Sequence, residues 1–230
     1  MTALITLFIE DALTEDIGSG DITTLATVSN SQTGEAICYV KEDCIIAGIA
    51  LASMICKQVD PDLMVNFNYN DGDQVNAGSA IGKIQGAIHS ILKLERLLLN
   101  CMQRMSAIAS KTNHFVKLVA PYHVNILDTR KTTPNFRVCE KWAVKIGGGV
   151  NHRMGLYDQI LIKDNHIQAA GGIKNAIESC IKYVASNNLM TPVIVEVKNL
   201  EEFNIAKEYD IIDFELGVKT VSYTHLTLPT

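Results

Sequence analysis

Short apolar runs alternate with helical segments through the second half of the 230-residue chain, and that alternation narrows the fold more than any other feature. Runs rich in Val and Ile fall at 123–127, 159–162, 192–197 and 210–214, separated by helical patterns at 134–145, 172–186 and 200–208. Short buried strands joined through helices run in the same direction, so the pattern predicts a parallel sheet, open or closed into a barrel. Pro134 suits the first turn of the helix after it. Asn199-Leu200-Glu201-Glu202 has the form of a capping box.

The first half reads differently. Leu4, Leu7, Phe8 and Leu13 recur near helical spacing, predicting a helix over 3–13. The segment 15–24 reads as a turn-rich acidic connector. Strands are predicted at 35–40, 43–47, 64–69 and 79–84, with a helix over 48–59 that Pro61 and Asp62 break. The Asp71-Gly72 turn and its flanks read as structural. From Ile88 to about Val119 a helical pattern runs with no proline until Pro121, which makes it the boundary between two domains. The expected division is 1–110, 111–219 and a tail at 220–230.

Composition serves mainly to exclude. With 25 acidic and 20 basic residues the net charge is −5, which offers nothing to nucleic acid or to an anionic membrane. The first residues carry no basic stretch and reach acids after nine positions, unlike a signal peptide or a membrane span. Six cysteines are scattered without a C-x-x-C pair, which predicts reduced thiols in a cytoplasmic protein rather than a disulfide framework or a zinc site.

Charge gathers where the predicted strands end, and in parallel α/β folds the site forms at the carboxyl ends of strands. The first run closes in Asp128-Thr129-Arg130-Lys131, the second in Lys163-Asp164-Asn165-His166, the third in Glu196. Between the first two lies Gly147-Gly148-Gly149-Val150-Asn151-His152-Arg153. Residues 128–166 hold seven Lys or Arg against four acids, a local positive excess inside an acidic chain. Guanidinium forks and ammonium groups of that density suit a small, multiply anionic ligand. Bland readings stand beside several of these residues. Arg137, Lys141 and Lys145, at i, i+4 and i+8, read as a solvated helix face. The glycine triplet reads as a helix C-cap and turn that also lets backbone approach a ligand. His166 reads equally as a strand-end cap or a ligand. Glu196, after Val193-Ile194-Val195, needs solvent or a partner.

In their order along the chain these motifs resemble the quinolinate phosphoribosyltransferase family (nicotinate-nucleotide pyrophosphorylase, carboxylating). The resemblance rests on Asp128-Thr129-Arg130-Lys131-Thr132-Thr133-Pro134, on Gly147 to Arg153, and on Ile162-Lys163-Asp164-Asn165-His166. Glu15 to Thr24, Glu95-Arg96-Leu97-Leu98-Leu99-Asn100 and Glu196-Val197 extend it from about residue 10 to about residue 212. It implies an N-terminal α/β sandwich followed by an α/β barrel, incomplete in this chain. It also implies transfer of phosphoribose from phosphoribosyl pyrophosphate to quinolinate with loss of CO2, assisted by Mg2+. By the same resemblance Arg130, His152, Arg153 and Lys163 hold the two carboxylates. Lys131 lies between the acid and the phosphoribosyl group, and Glu196 faces the ribose and its metal. Arg96 reaches the neighbouring subunit's site, so a homodimer is the working unit.

The family pattern fails near the end. Where a strand closing in Leu-Asp-Asn is expected, the chain has Asp213-Phe214-Glu215-Leu216-Gly217, with Glu215 as the candidate stand-in for the Asp. Residues 220–230 carry four threonines and no period, and read as a non-native tail. The strand count is too small to close a barrel, so the expectation is a chain that folds poorly and catalyses little. Two rivals remain: a phosphoribosyltransferase for another aromatic acid, and a remnant that binds an aromatic diacid or only dimerises. Arg130, Arg153 and Lys163 together favour a diacid over a monoacid.

Overall fold

A computed structural model describes residues 2–209 and 212–216, with side chains for 3–209. The chain divides into two compact units, 1–152 and 153–229.

The first unit opens with helix α1 (Thr2–Ile17), which runs on into the first three residues of the segment expected to be a connector. Glu15 and Asp16 are tolerated in a last helical turn, and the break comes only at Gly18 and Gly20, both at positive φ. Asp21 then caps α2 (Ile22–Thr27) by accepting from the Thr24 backbone at 3.0 Å. Strand β1 (Thr33–Tyr39), β2 (Cys44–Ile45), helix α3 (Ile49–Val59), β3 (Met64–Phe67), β4 (Gln74–Val75) and β5 (Ala80–Ala87) follow. They form an antiparallel sheet in the order β1-β5-β3 and an antiparallel pair β2-β4. Asp71 earns its structural reading: its carboxylate accepts from the backbone of Gly48, Ile49 and Ala50 and so caps α3.

Helix α4 (Ile88–Val119) has the predicted length and gives the unit its spine. Ile91, Leu94, Leu98, Cys101, Met102, Met105, Ile108 and Ala109 recur at three- and four-residue spacing along its buried side. Two serines on that side are satisfied by strand backbone. Ser110 accepts from Ile45 N at 2.8 Å, and Ser106 both accepts from Ala47 N and donates to Ala47 O. Helix α5 (Arg137–Ile146) packs on α4 and keeps 111–152 with the first unit.

Two local expectations fail here. The run 123–127 is not a strand. It makes one isolated parallel bridge, Leu127 to Val150, while Val124 and Leu127 stay more than half exposed. An extended segment with no ladder partner has nothing to bury its apolar side chains. Pro134 does not start a helix either. Thr133-Pro134-Asn135-Phe136 is a turn closed by Phe136 N to Thr133 O, with Asn135 at φ 62°. Proline followed by a residue at positive φ is a turn signature, and it delays the helix to Arg137.

The second unit has strand β6 (Ile160–Ile162), a short helix α6 (Asp164–Ala169), α7 (Ile173–Ser186), β7 (Val193–Val197), α8 (Leu200–Ala206) and β8 (Ile212–Leu216). The strands form the predicted parallel sheet, in the order β6-β7-β8. Val193, Val195, Val197, Ile173, Ile177 and Ala206 form its core. Asn199 caps α8 from Glu202 N at 2.8 Å, while Glu202 reaches back to Lys198 N, one residue earlier than a strict box. In β8 the backbone of Glu215 pairs with Glu196. The side chain of Glu215 and the whole of the suspected tail lie outside the described residues. Among the described residues no helix is long and apolar enough to cross a membrane.

Candidate active site

The loop after residue 127 owes its shape to α5. Lys141, expected on a solvated face, is 1% exposed. Its ammonium pairs with Asp128 and donates to the His152 carbonyl at 2.9 Å. Asp128 also accepts from His152 N at 2.9 Å. The Asn151 amide, in the orientation that satisfies both its ends, donates to Asp128 Oδ2 at 2.9 Å and to the Lys141 carbonyl at 2.8 Å. Burial pushes the Asp128 carboxyl up from its ordinary value, and the Lys141 ammonium and the His152 amide work against that rise.

The other end of the loop is held by the same helix. Glu140, also buried, accepts from Thr133 N and Thr133 Oγ1, and from Arg104 Nε of α4 at 2.8 Å. Arg137 Nε donates to Thr132 Oγ1 at 2.9 Å, and its Nη2 reaches the Arg130 carbonyl. Residues 137, 140 and 141 share one helix face, so a single element pins 128, 130, 132 and 133. Between those pins sit Arg130, half-buried, and Lys131, exposed. Among the described residues, buried Arg130 Nε has no hydrogen-bond partner.

The glycine triplet serves packing. Gly147 caps α5 and Gly148 takes φ 91°. A Cβ on Gly147 would stand 2.4 Å from the Ala109 carbonyl oxygen, and one on Gly149 2.8 Å from Val144. Close approach of the end of α5 to α4 accounts for Gly147, and the crowding of Val144, Thr112 and the Ile126 carbonyl accounts for Gly149.

In the second unit Lys163 follows β6, and Glu196 lies on the neighbouring strand, with Nζ–Oε2 at 3.4 Å and both side chains partly exposed. Glu196 thus has the partner its position demanded. Arg153 donates to the Gln159 carbonyl at 3.3 Å. His166 is a cap: its Nδ1 accepts from Lys163 N. Each unit thus sets out polar side chains at loop and strand ends. Arg130 and His152 are tied through their backbone to α5 and Asp128 in the first, with Lys131 exposed beside Arg130, and Lys163 is joined to Glu196 in the second. Arg96 is exposed on α4.

Comparison with known proteins decides the family. The family model described as quinolinate phosphoribosyl transferase, N-terminal domain, matches residues 21–106, and the C-terminal domain model matches 108–217. The chain is 33% identical to NadC from Streptococcus pyogenes, with a TM-score of 0.83 over 96% of this chain and 78% of that one. It is 39% identical to the nicotinate-nucleotide pyrophosphorylase from Francisella tularensis, with a TM-score of 0.81 over 92% of this chain and 74% of the other. The chain belongs to the quinolinate phosphoribosyltransferase family. It has that family's two-domain α/β fold, with β6, β7 and β8 belonging to the α/β barrel.

Among curated relatives, the chain is 49% identical over 202 residues to quinolinate phosphoribosyltransferase (decarboxylating) 1b of Nicotiana tabacum. It is 50% identical over 199 residues to the chloroplastic nicotinate-nucleotide pyrophosphorylase (carboxylating) of Arabidopsis thaliana. It spans 57% of the length of each. In this quinolinate phosphoribosyltransferase-family chain the polar residues that shape the loop, Lys141, Glu140 and Arg104, escape a reading by motif. A lysine and a glutamate side by side in a helix give no sign of burial. The one available signal was Asp128, an acid after an apolar run that needed a cation.

Proposed function

We propose that the chain carries the family reaction, transfer of phosphoribose from phosphoribosyl pyrophosphate to quinolinate with decarboxylation, giving nicotinate mononucleotide, pyrophosphate and CO2. The observation that carries this reading is Arg130, whose buried Nε–H has no acceptor. A buried donor left unpaired costs free energy that an incoming carboxylate recovers. By the resemblance of their motifs to the family's, Arg130, His152, Arg153 and Lys163 are the residues proposed to hold the two carboxylates of the diacid. Lys131, exposed beside Arg130, is the cation for the boundary between acid and phosphoribosyl group. The names of the plant relatives, which specify decarboxylation, support the same reading.

The chemistry needs no nucleophilic side chain. The pyridine nitrogen forms the new bond to the ribose carbon as the bond to pyrophosphate breaks. Positive charge developing on that carbon is stabilised by a carboxylate, and Glu196 is the candidate. The nitrogen then carries positive charge and stabilises the electron pair left on the neighbouring ring carbon when its carboxylate leaves as CO2. A solvent proton replaces it on the ring. Holding two mutually repelling anions in register supplies much of the acceleration.

Among the described residues no three His, Cys, Asp or Glu are grouped to ligate a metal. A magnesium ion brought in on the substrate phosphates would need at most a carboxylate from the protein, and Glu196 is the candidate. When bound, such an ion would supply charge to offset that of the departing pyrophosphate. A homodimer with Arg96 serving the neighbouring site, and a cytoplasmic location, complete the proposal. The second is supported by six cysteines all free as thiols.

The test is calorimetric titration of the 230-residue chain with quinolinate and with nicotinate. Quinolinate is expected to bind at least about 10-fold more tightly, the worth of one charge-assisted pair. Equal affinities, or no quinolinate binding, would overturn the reading. Release of CO2 from carboxyl-labelled quinolinate on adding phosphoribosyl pyrophosphate and Mg2+ then tests turnover.

A further inference from the structure

We propose that Lys141 is a positioning residue for diacid binding, acting through Asp128 on His152 and Arg130; the inference rests on the function proposed above. Lys141 lies inside the protein with its ammonium on Asp128 and on the His152 carbonyl, and so does not itself face a ligand. Its contacts do two things. They close a ring from α5 through Asp128 to the Asn151-His152 backbone and back to Lys141, which fixes the course of the chain where His152 leaves it. They also saturate Asp128. That carboxylate stands two residues before Arg130, and an unsaturated acid so near would compete for the guanidinium. With Lys141, His152 N and Asn151 on its oxygens, Asp128 is occupied, and Arg130 Nε keeps its hydrogen free for a carboxylate.

A buried ion pair is poor evidence of a stabilising device, because apolar residues of similar volume stabilise as well or better. What such a pair supplies here is direction: charge and donors at set positions, which a methyl group cannot give.

Three variants of the 230-residue chain separate position from packing, each titrated calorimetrically with quinolinate and checked for folding by circular dichroism. Lys141→Met keeps the volume and removes the charge; affinity is expected to fall by about 10-fold or more, the share of one charge-assisted contact. Lys141→Arg keeps the charge and two or more donors and is expected to recover most of that loss. A role in packing alone would give the opposite ranking, with Met close to wild type and Arg damaged, and that result overturns the proposal. If Lys141→Met fails to fold, the double variant Asp128→Asn with Lys141→Met, which leaves no lone buried charge, takes its place. It is expected to fold and to bind quinolinate weakly; wild-type affinity from it would refute the role. In the wild-type chain itself, the His152 amide should exchange its hydrogen slowly, and exchange at the rate of a free peptide would also refute it. Failure of the wild type to bind quinolinate is a different result, and removes the functional reading rather than the positioning argument alone.

Discussion

Replacing Lys141 by Met has a computable cost to folding and a characteristic dependence on pH. Lys141 is 1% exposed and the Asp128 side chain 6%. Removing one partner of a buried pair costs about 3–5 kcal/mol, because the survivor is left charged in a poor solvent. Asp128 keeps two donors, His152 N and the Asn151 amide, each at 2.9 Å, so the expected loss lies at the lower end, about 3 kcal/mol. Against a total stability on the order of 5–15 kcal/mol, that is a large change.

The pH dependence follows from Asp128. Burial already raises its pKa in the intact protein, and loss of Lys141 removes the main opposing influence. An acid whose pKa is raised by folding holds its proton in the native state at a pH where the unfolded chain has lost it. Its favourable contribution is therefore complete below the unfolded value of about 3.9 and is lost as pH rises through the folded value. The deficit of the variant relative to wild type should thus be largest at neutral pH and shrink steadily on acidification. Urea unfolding followed by circular dichroism, on wild type and variant together between neutrality and mild acid, measures it. The double variant Asp128→Asn with Lys141→Met, carrying no lone charge, should recover most of the loss at neutral pH. A Lys141→Met chain within about 1 kcal/mol of wild type at neutral pH, or a deficit that ignores pH, would refute the argument from burial.

Other consequences are simpler to check. Gly147→Ala drives a Cβ against the Ala109 carbonyl and Thr112, and should cost about 1–3 kcal/mol by urea unfolding, although alanine elsewhere in a helix end is harmless. Burial pushes the Cys101 and Cys139 thiols up to about 12 and Cys56 to about 11, so with a thiol reagent at mildly alkaline pH Cys38, Cys44 and Cys180 should react first; one rate for all six would count against the packing described. Glu196→Gln breaks a partly exposed pair at 3.4 Å and should change stability by no more than about 1 kcal/mol while weakening phosphoribosyl transfer, whereas a collapse in thermal midpoint would mean that Glu196 is structural.

Elements whose partners lie within one periodic segment were legible. The period of α4 gave its two ends, because nothing interrupts a helix that buries one side from Ile91 to Thr112. Strands β6 and β7 were equally plain, since Ile160-Leu161-Ile162 and Val193-Ile194-Val195 are short apolar runs rich in β-branched residues. Segments whose conformation depends on a distant group were not. The 123–127 run has the composition of a strand and lacks a ladder, and Pro134 has the look of a helix start while its neighbour Asn135 turns the chain. The acidic segment at 15–24 is a turn only at 18–21; its two ends are helical, because Glu15 and Asp16 fit a last helical turn and Asp21 needs only Thr24 to cap the next helix.

The candidate site divides along the same line. Arg130, Lys131, His152, Arg153, Lys163 and Glu196 were visible as candidates because polar residue types at the ends of apolar runs declare themselves in the sequence. Lys141 was hidden because its chemistry is directed inward. Spaced four residues from Arg137 and from Lys145, it has the pattern of a solvated stripe, and the helix does turn Lys145 to solvent. What takes Lys141 out of that stripe is Asp128, thirteen residues earlier and on another element. An acid placed just before a cationic loop has to be neutralised by something other than that loop, or the loop cannot attract an anion. Asking of Asp128 where its counter-ion lies would have drawn attention to α5, because Arg137, Lys141 and Lys145 all lie on that one helix. The same question, put to any acid at the mouth of a cationic site, distinguishes lysines that bind the ligand from lysines that keep the site free to bind it.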